Sequence, residues 1–260
     1  MAGEMSDYDG FAQLYDWEHC GFDDDLALYR NLARRCDGPA LDVGCGSGRV
    51  TLALAQIGVD VVGIDCSAGM LDIAQERLAG ADLPGRVQLW HRDICAWTQP
   101  AHFALAVFSL NGFLHLLTTE RQLAALENIW RSLLPGGILI VDVPNPHAVF
   151  SPAQDGQLVL RSSFFSPQGR EIWCFVNTRT DLAEQTQHLT LIYDQAVAGD
   201  QGLVQRTRVD TDVRYVYRYE MIALLARAGF QIDALYGSYD LEPYTVDSQQ
   251  MLFVAYKKAG

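Results

Sequence analysis

The stretch Leu41-Asp42-Val43-Gly44-Cys45-Gly46-Ser47-Gly48-Arg49-Val50 limits what this chain can fold into more than any other. Two apolar residues flank an acid, and three glycines then fall on alternate positions. The pattern reads as the end of a buried parallel strand turning tightly into a helix that begins near Ser47. Without Cβ atoms the turn can use positive φ, and the backbone can lie directly against a ligand. The free N–H groups of the following helix then face a polar ligand group. A plain helix cap would need only one or two glycines.

From residue 40 to residue 143 strand and helix patterns alternate. Strands are expected at 40–43, 59–64, 87–90, 103–108 and 138–143, and helices at 48–57, 68–78 after the Ser67 cap, and 120–134. The 103–108 run is almost wholly apolar, which suits a central strand buried on both faces. Such alternation implies an α/β fold, a parallel sheet with helices on both faces whose ligands sit at the carboxyl ends of the strands. Residues 151–213 depart from it. Four strands at 158–165, 171–179, 187–197 and 203–213, with turns at Pro167-Gln168-Gly169 and 199–202 and a bend at 180–184, predict an inserted antiparallel sheet. The pattern returns with a helix at 219–227 stopped by Gly229 and two strands at 230–236 and 250–257. Nothing resembles a linker, so we expect one domain: an N-terminal cap at 1–36, a core at 37–143, the insert at 151–213 and a return to the core at 214–260. The cap carries Tyr8, Phe11, Tyr15 and Trp17, either packed on the body as a strap or forming a lid with Tyr8 and Tyr15 as polar-tipped walls. Asp23, Asp24 and Asp25 open the next helix, a solvated face suited to the helix dipole.

A net charge of −13 argues against nucleic acid or an anionic membrane as partner, since either calls for a basic face. The six cysteines include no CxxC pair and no metal-ligand spacing, the start MAGEMSDYDG has no apolar signal core, and no run is long enough to span a bilayer. A cytoplasmic protein with reduced thiols, without a metal site, is the expectation.

The ligand of the glycine turn can be narrowed. Asp65 closes the second strand 21 positions after Gly44, the place from which an acid accepts ribose hydroxyls. Asp93, just past the third strand, suits an adenine amino group. A dinucleotide fingerprint would need Gly or Ala where this chain has Arg49. Asp42 beside the loop suits a cofactor bearing an ammonium group better than a pyrophosphate.

At this point the chain resembles the class I S-adenosylmethionine-dependent methyltransferases. The resemblance rests on the glycine turn, on Val62-Gly63-Ile64-Asp65-Cys66-Ser67-Ala68-Gly69-Met70-Leu71, on Arg92-Asp93-Ile94, on Leu133-Leu134-Pro135-Gly136-Gly137 and on Arg227-Ala228-Gly229-Phe230, in that order. It implies a Rossmann-like seven-stranded sheet whose last strand is antiparallel. It also implies Gly44 and Gly46, with Cys45 between them, at the methionine part of the cofactor, Asp65 on the ribose, Met70 on the adenine, and Cys66, Asp93 and Ile94 around the base. Ser109 would lie near the methionine amino group. One departure is the lack of an acid at the foot of the fourth strand, in Pro100-Ala101-His102-Phe103.

A sulfonium activates its own methyl group, so the expected reaction is an in-line displacement needing mainly alignment, with a base where the acceptor is a hydroxyl. Ser109 to Leu116 follows the central strand and should stand at the pocket mouth. Asn111 and His115 share a face there if the segment is helical. His115 would be a base or orient the acceptor, with Tyr15 as part of the lid. Phe164, Phe165, Trp173 and Phe175 of the insert could wall the pocket, and Arg161, Arg170 and Arg179 could meet an acidic substrate or solvent. Overall layout suggests a small-molecule acceptor methylated on N or O, as in natural-product and amino-sugar enzymes, and a homodimer contact through the insert. The competing readings are a protein or RNA acceptor, a nicotinamide oxidoreductase and a non-catalytic binder of the cofactor.

Overall fold

The computed structural model describes residues 7–149, 152–197 and 202–258. Residues 1–6 of the acidic start and all but the last residue of the turn expected at 199–202 lie outside them. Strand β1 (Ala40–Val43) is buried along its whole length and leads through the glycine turn into α3 (Arg49–Ala55), which follows α1 (Ala12–His19) and α2 (Leu26–Ala33). Strand β2 (Val61–Asp65) leads to α4 (Ala68–Ala79), where the Ser67 hydroxyl accepts the Met70 N–H and so caps the helix. Strand β3 (Val87–His91) is short, and β4 (Phe103–Phe108) is buried at every position, as its unbroken apolar run requires. Thr118 caps α5 (Thr119–Ser132), whose apolar stripe buries Leu126 and Ile129 completely. Each such side chain is worth about 1.5–3 kcal/mol of burial.

The main sheet has seven strands in the order β10-β11-β5-β4-β1-β2-β3. Here β5 is Leu133–Pro144, β10 is Phe230–Tyr236 and β11 is Gln250–Lys257. Only β11 runs against its neighbours; β1 pairs in parallel with both β2 and β4. The order therefore reverses between β1 and β4. The carboxyl ends of those two strands diverge into a crevice there, at the position where sheets of this kind bind ligands.

After the short α6 (Pro146–Val149) come β6 (Leu158–Phe165), β7 (Glu171–Asp181), β8 (Thr186–Ala196) and β9 (Val204–Arg214), a separate antiparallel sheet in that order. Its inner face, with Ile172, Cys174, Leu191 and Tyr193, packs on Phe11, Tyr8 and Tyr15 of the N-terminal segment. The Glu18 carboxylate locks the two together, accepting from the hydroxyls of Ser162 (2.6 Å) and Tyr193 (2.8 Å). Helix α7 (Arg218–Arg227) then returns the chain to the main sheet and ends at Gly229, whose φ of +98° needs a residue without a Cβ.

Several boundaries shift by one or two residues, and two larger differences from expectation have a physical cause. Strand β5 begins at Leu133 rather than at Ile138, because Gly136 takes a φ of +79° and lets Pro135-Gly136-Gly137 bulge out of the ladder between Leu133 and Ile138. Asp25 is not on a solvated face. It is wholly buried and forms a paired contact with the Arg49 guanidinium, Nη2 to Oδ2 at 2.7 Å. Arg49 is thus the partner that neutralises a buried acid, besides being the residue that departs from a dinucleotide loop.

Gly48 is the tightest point of the turn: its φ is +79° and a Cβ there would meet that of Ala74 at 3.0 Å. Gly48→Ala should lower unfolding stability by about 1–3 kcal/mol through strain and clash together, read from urea denaturation.

Candidate active site

A cavity of about 640 Å³ opens at the β1/β4 crevice, within the range usual for small-molecule sites. Its floor is the glycine turn. Gly44 and Gly46 have φ of +64° and +52°, and a Cβ added at Gly46 would meet nothing within 4 Å, so the concave side of the turn is open to a ligand. Asp65 stands beside it. One carboxylate oxygen accepts the Gly46 N–H and the other the Ser67 N–H, both at 2.8 Å. An ionised carboxylate offers further lone pairs, so it can still accept ribose hydroxyls. Burial pushes its pKa up, and the backbone donors pull against that shift.

Cys45, Cys66, Met70, Asp93, Ile94 and Ser109 reach the same cavity, as expected. Asp93 does so with both oxygens engaged, by the Cys95 N–H and by Arg121 at 3.0 Å. Opposite this end the N-terminal segment closes the roof. Tyr8 donates to, or accepts from, His115 Nε2 at 2.8 Å, and Tyr8, Tyr15 and His115 all line the cavity. Asp9 accepts from the Ser67 hydroxyl and the Gly69 N–H, and Arg77 of α4 ties Asp16 to Ser47 Oγ, so the roof is anchored to the donor loop itself.

Three expectations are corrected. Asp42 does not face the cavity. Strand alternation puts Leu41 and Val43 in one core cluster and turns Asp42 the other way, where its Oδ2 accepts from Thr51 at 2.7 Å beneath the loop. Its other oxygen has no partner among the described residues, and burial pushes its pKa up to about 6. Asn111 does not line the cavity either. The segment Gly112–His115 is a 3₁₀ turn, with three residues per turn, which stacks His115 over Gly112, and Asn111 caps it with a φ of +64°. Finally, none of Phe164, Phe165, Trp173 and Phe175 lines the cavity. Phe164 packs on Tyr193, Phe165 is exposed, and the other two lie on the outer face of the insert. Arg161 approaches Glu18 at 3.5 Å rather than a substrate.

The sequence reading missed His19, Arg92 and Arg121 as lining residues. For His19 a signal existed: it follows Tyr15 by four on one helical face, and the two rings stack at 4.1 Å.

The open turn, the acid across from it and the apolar slot at Met70 and Ile94 define a binding site for a nucleoside-type cofactor at the switch point of a Rossmann-like sheet. Residues 40–137 match the methyltransferase-domain family. The cypemycin N-terminal methyltransferase of a Streptomyces species is 32% identical over 231 residues, covering 88% of this chain and 87% of that protein. A dTDP-3-amino-3,6-dideoxy-alpha-D-glucopyranose N,N-dimethyltransferase of Streptomyces fradiae is 32% identical over 149 residues, 54% of this chain and 56% of that one. The CcbJ methyltransferase of Streptomyces caelestis shares the fold with a TM-score of 0.80 at 20% identity, over 98% of this chain and 99% of that structure. This chain belongs to the S-adenosylmethionine-dependent methyltransferases. It is an enzyme that uses S-adenosylmethionine.

Asp42 yields a pH test. It binds its proton more tightly folded, at about 6, than unfolded, at about 4. Unfolding therefore releases a proton between those values, and this group's contribution to stability falls as pH rises from about 4 to about 6. Asp42→Asn should shrink the stability lost between pH 5 and 7 by about 1 kcal/mol in urea titrations.

Proposed function

We propose that the enzyme methylates a nitrogen or oxygen atom of a small molecule, with nitrogen favoured because the two relatives above carry names for action on an N-terminus and on an amino sugar. The observation that carries this reading is the roof. Helix α1 and the inserted sheet, locked through Glu18, cover the cavity and leave it room for a cofactor and a small acceptor. The net charge of −13 supports the same reading over an RNA acceptor.

In this proposal Gly44, Cys45 and Gly46 lie along the methionine part of the donor, Ser109 takes its amino group and Asp65 its ribose, while Met70, Cys66, Asp93 and Ile94 surround the base. Bound there, S-adenosylmethionine supplies a methyl group already activated by a sulfonium. The protein's part begins with alignment and the exclusion of water. Tyr8 and His115 hold one another at the mouth and orient the acceptor, and Tyr15 closes the wall beside them. The six free thiols suit a cytoplasmic enzyme, and among the described residues no helix is long and apolar enough to cross a membrane.

The outer face of the insert supports a homodimer. The cross-strand row Leu160, Phe175, Ile192 leads into Arg208, and Ser163, Trp173, Asp194 into Arg206. Leu158, Leu160 and Phe165 are exposed there. An apolar strip bordered by charges of both signs complements itself across a twofold axis.

Calorimetry should show binding of S-adenosylhomocysteine and none of NAD. Methyl transfer to a panel of amines, sugars and phenols should identify the acceptor class, and a panel that gives no turnover with the cofactor bound would favour a non-catalytic binder. His115→Ala should lower turnover at least tenfold with little change in cofactor affinity; unchanged turnover removes it from the mechanism. Leu160→Asp with Phe165→Asp should convert a dimer to a monomer in sedimentation velocity.

A further inference from the structure

Four rings form a continuous wall along the roof: His115 contacts Tyr8, Tyr8 contacts Tyr15, and Tyr15 stacks on His19, with centroids 5.2, 5.3 and 4.1 Å apart. All four line the cavity. The two histidines at the ends of this wall differ in what their nitrogens do. His115 shares its Nε2 with the Tyr8 hydroxyl. His19 places Nδ1 2.9 Å from the Tyr15 carbonyl oxygen, and a carbonyl only accepts. Nδ1 must therefore carry the proton, and in the neutral ring Nε2 keeps its lone pair. Among the described residues Nε2 has no hydrogen-bond partner, and the ring itself lines the cavity. His91, the third histidine of the lining, is set the other way, with Nε2 donating to the Cys66 carbonyl at the far, base-binding end.

We propose that His19 is the general base of this enzyme, taking the acceptor's proton on Nε2 while Tyr8 and His115 orient the acceptor. The assignment rests on the methyltransferase reading of the cavity. In the step, the acceptor's lone pair forms the new bond to the methyl carbon, the sulfur–methyl bond breaks with its electron pair left on sulfur, and the acceptor's proton passes to Nε2. The resulting imidazolium, still held by the Tyr15 carbonyl, gives the proton to solvent. The charges around the ring suit that cycle. Burial lowers the pKa of His19, its bond to Tyr15 and the neighbouring Glu18 raise it, and Arg161 and Arg49 lower it again, with a net shift below the ordinary value. The ring is thus neutral near pH 7 and free to accept. A neutral ring fixed in this tautomer has no N–H at Nε2 with which to hold the donor's carboxylate, which separates the role of a base from that of a cofactor anchor.

The test has two parts. Long-range proton–nitrogen correlation of the imidazole, recorded on the full chain with S-adenosylhomocysteine, should show the Nδ1–H tautomer and titration below the usual histidine range. An Nε2–H ring, or a ring protonated at pH 7, overturns the assignment with no acceptor in hand. With the panel acceptor that is turned over best, His19→Asn, which can keep the bond to Tyr15, and His19→Gln should both lower kcat by about 100-fold. Both should leave affinity for S-adenosylhomocysteine unchanged and lose the fall in kcat/KM at low pH that the wild type shows. Turnover within twofold of wild type in both variants, or a loss confined to cofactor binding, also overturns it. Failure of the wild type to bind S-adenosylhomocysteine would instead strike the methyltransferase reading, and the tautomer result would stand apart from it.

Discussion

The carboxylate of Asp65 joins the two turns on which the site is built. By accepting from Gly46 on one side and from Ser67 on the other, it fixes the loop after β1 against the loop after β2. Much of the cavity lining and its roof is tied to those two loops. Ser67 caps α4 and sets Met70, its hydroxyl and the Gly69 N–H hold Asp9 of the N-terminal segment, and Arg77 of the same helix reaches back to Ser47 and Asp16. Two hydrogen bonds to one half-buried acid thus position floor, slot and roof together. A charged group at such a place holds backbone donors about twice as firmly as a neutral acceptor would.

Beneath the loop a second, concealed layer supports the first. Asp25 neutralises Arg49, Asp42 accepts from Thr51, and Asp142 accepts from Tyr29 and Tyr239. None of these acids meets water, and burial pushes both Asp42 and Asp142 up to about 6. The backbone carbonyl of Asp142 accepts the Asn111 N–H at 3.3 Å; Leu110 and Asn111 both have positive φ, and the pair leads into the turn that carries His115. Strain at the mouth is therefore held from the protein's interior.

Much of this was legible in the sequence because it is local. Strand alternation, apolar runs, the Ser67 cap and the glycine spacing each depend on residues a few positions apart, and they gave β4, β6, β10 and β11 to the residue. Most of the residues lining the cavity at the glycine turn followed, since the ends of parallel strands are a predictable place. What failed was direction and distance. Asp42 was misplaced although the two-residue period of a strand already turned it away from Leu41 and Val43. Asn111 failed because neighbours on one face are four apart in an α-helix but three apart in a 3₁₀ turn. The Asp25–Arg49 pair and the Glu18 latch left no trace in the pattern, since each joins segments that only the folded sheet brings together.

That latch has a consequence for how the protein is made. Glu18 belongs to the first turns of the chain, yet its partners Ser162 and Tyr193 lie 144 and 175 residues further on. The N-terminal helix emerges from the ribosome long before the sheet that secures it. Contacts so distant in sequence form late, after the local strand–helix units have condensed. A nascent chain can therefore assemble its cofactor floor while the chamber above is still unroofed, and competence for chemistry arrives only when the insert has been synthesised and docked.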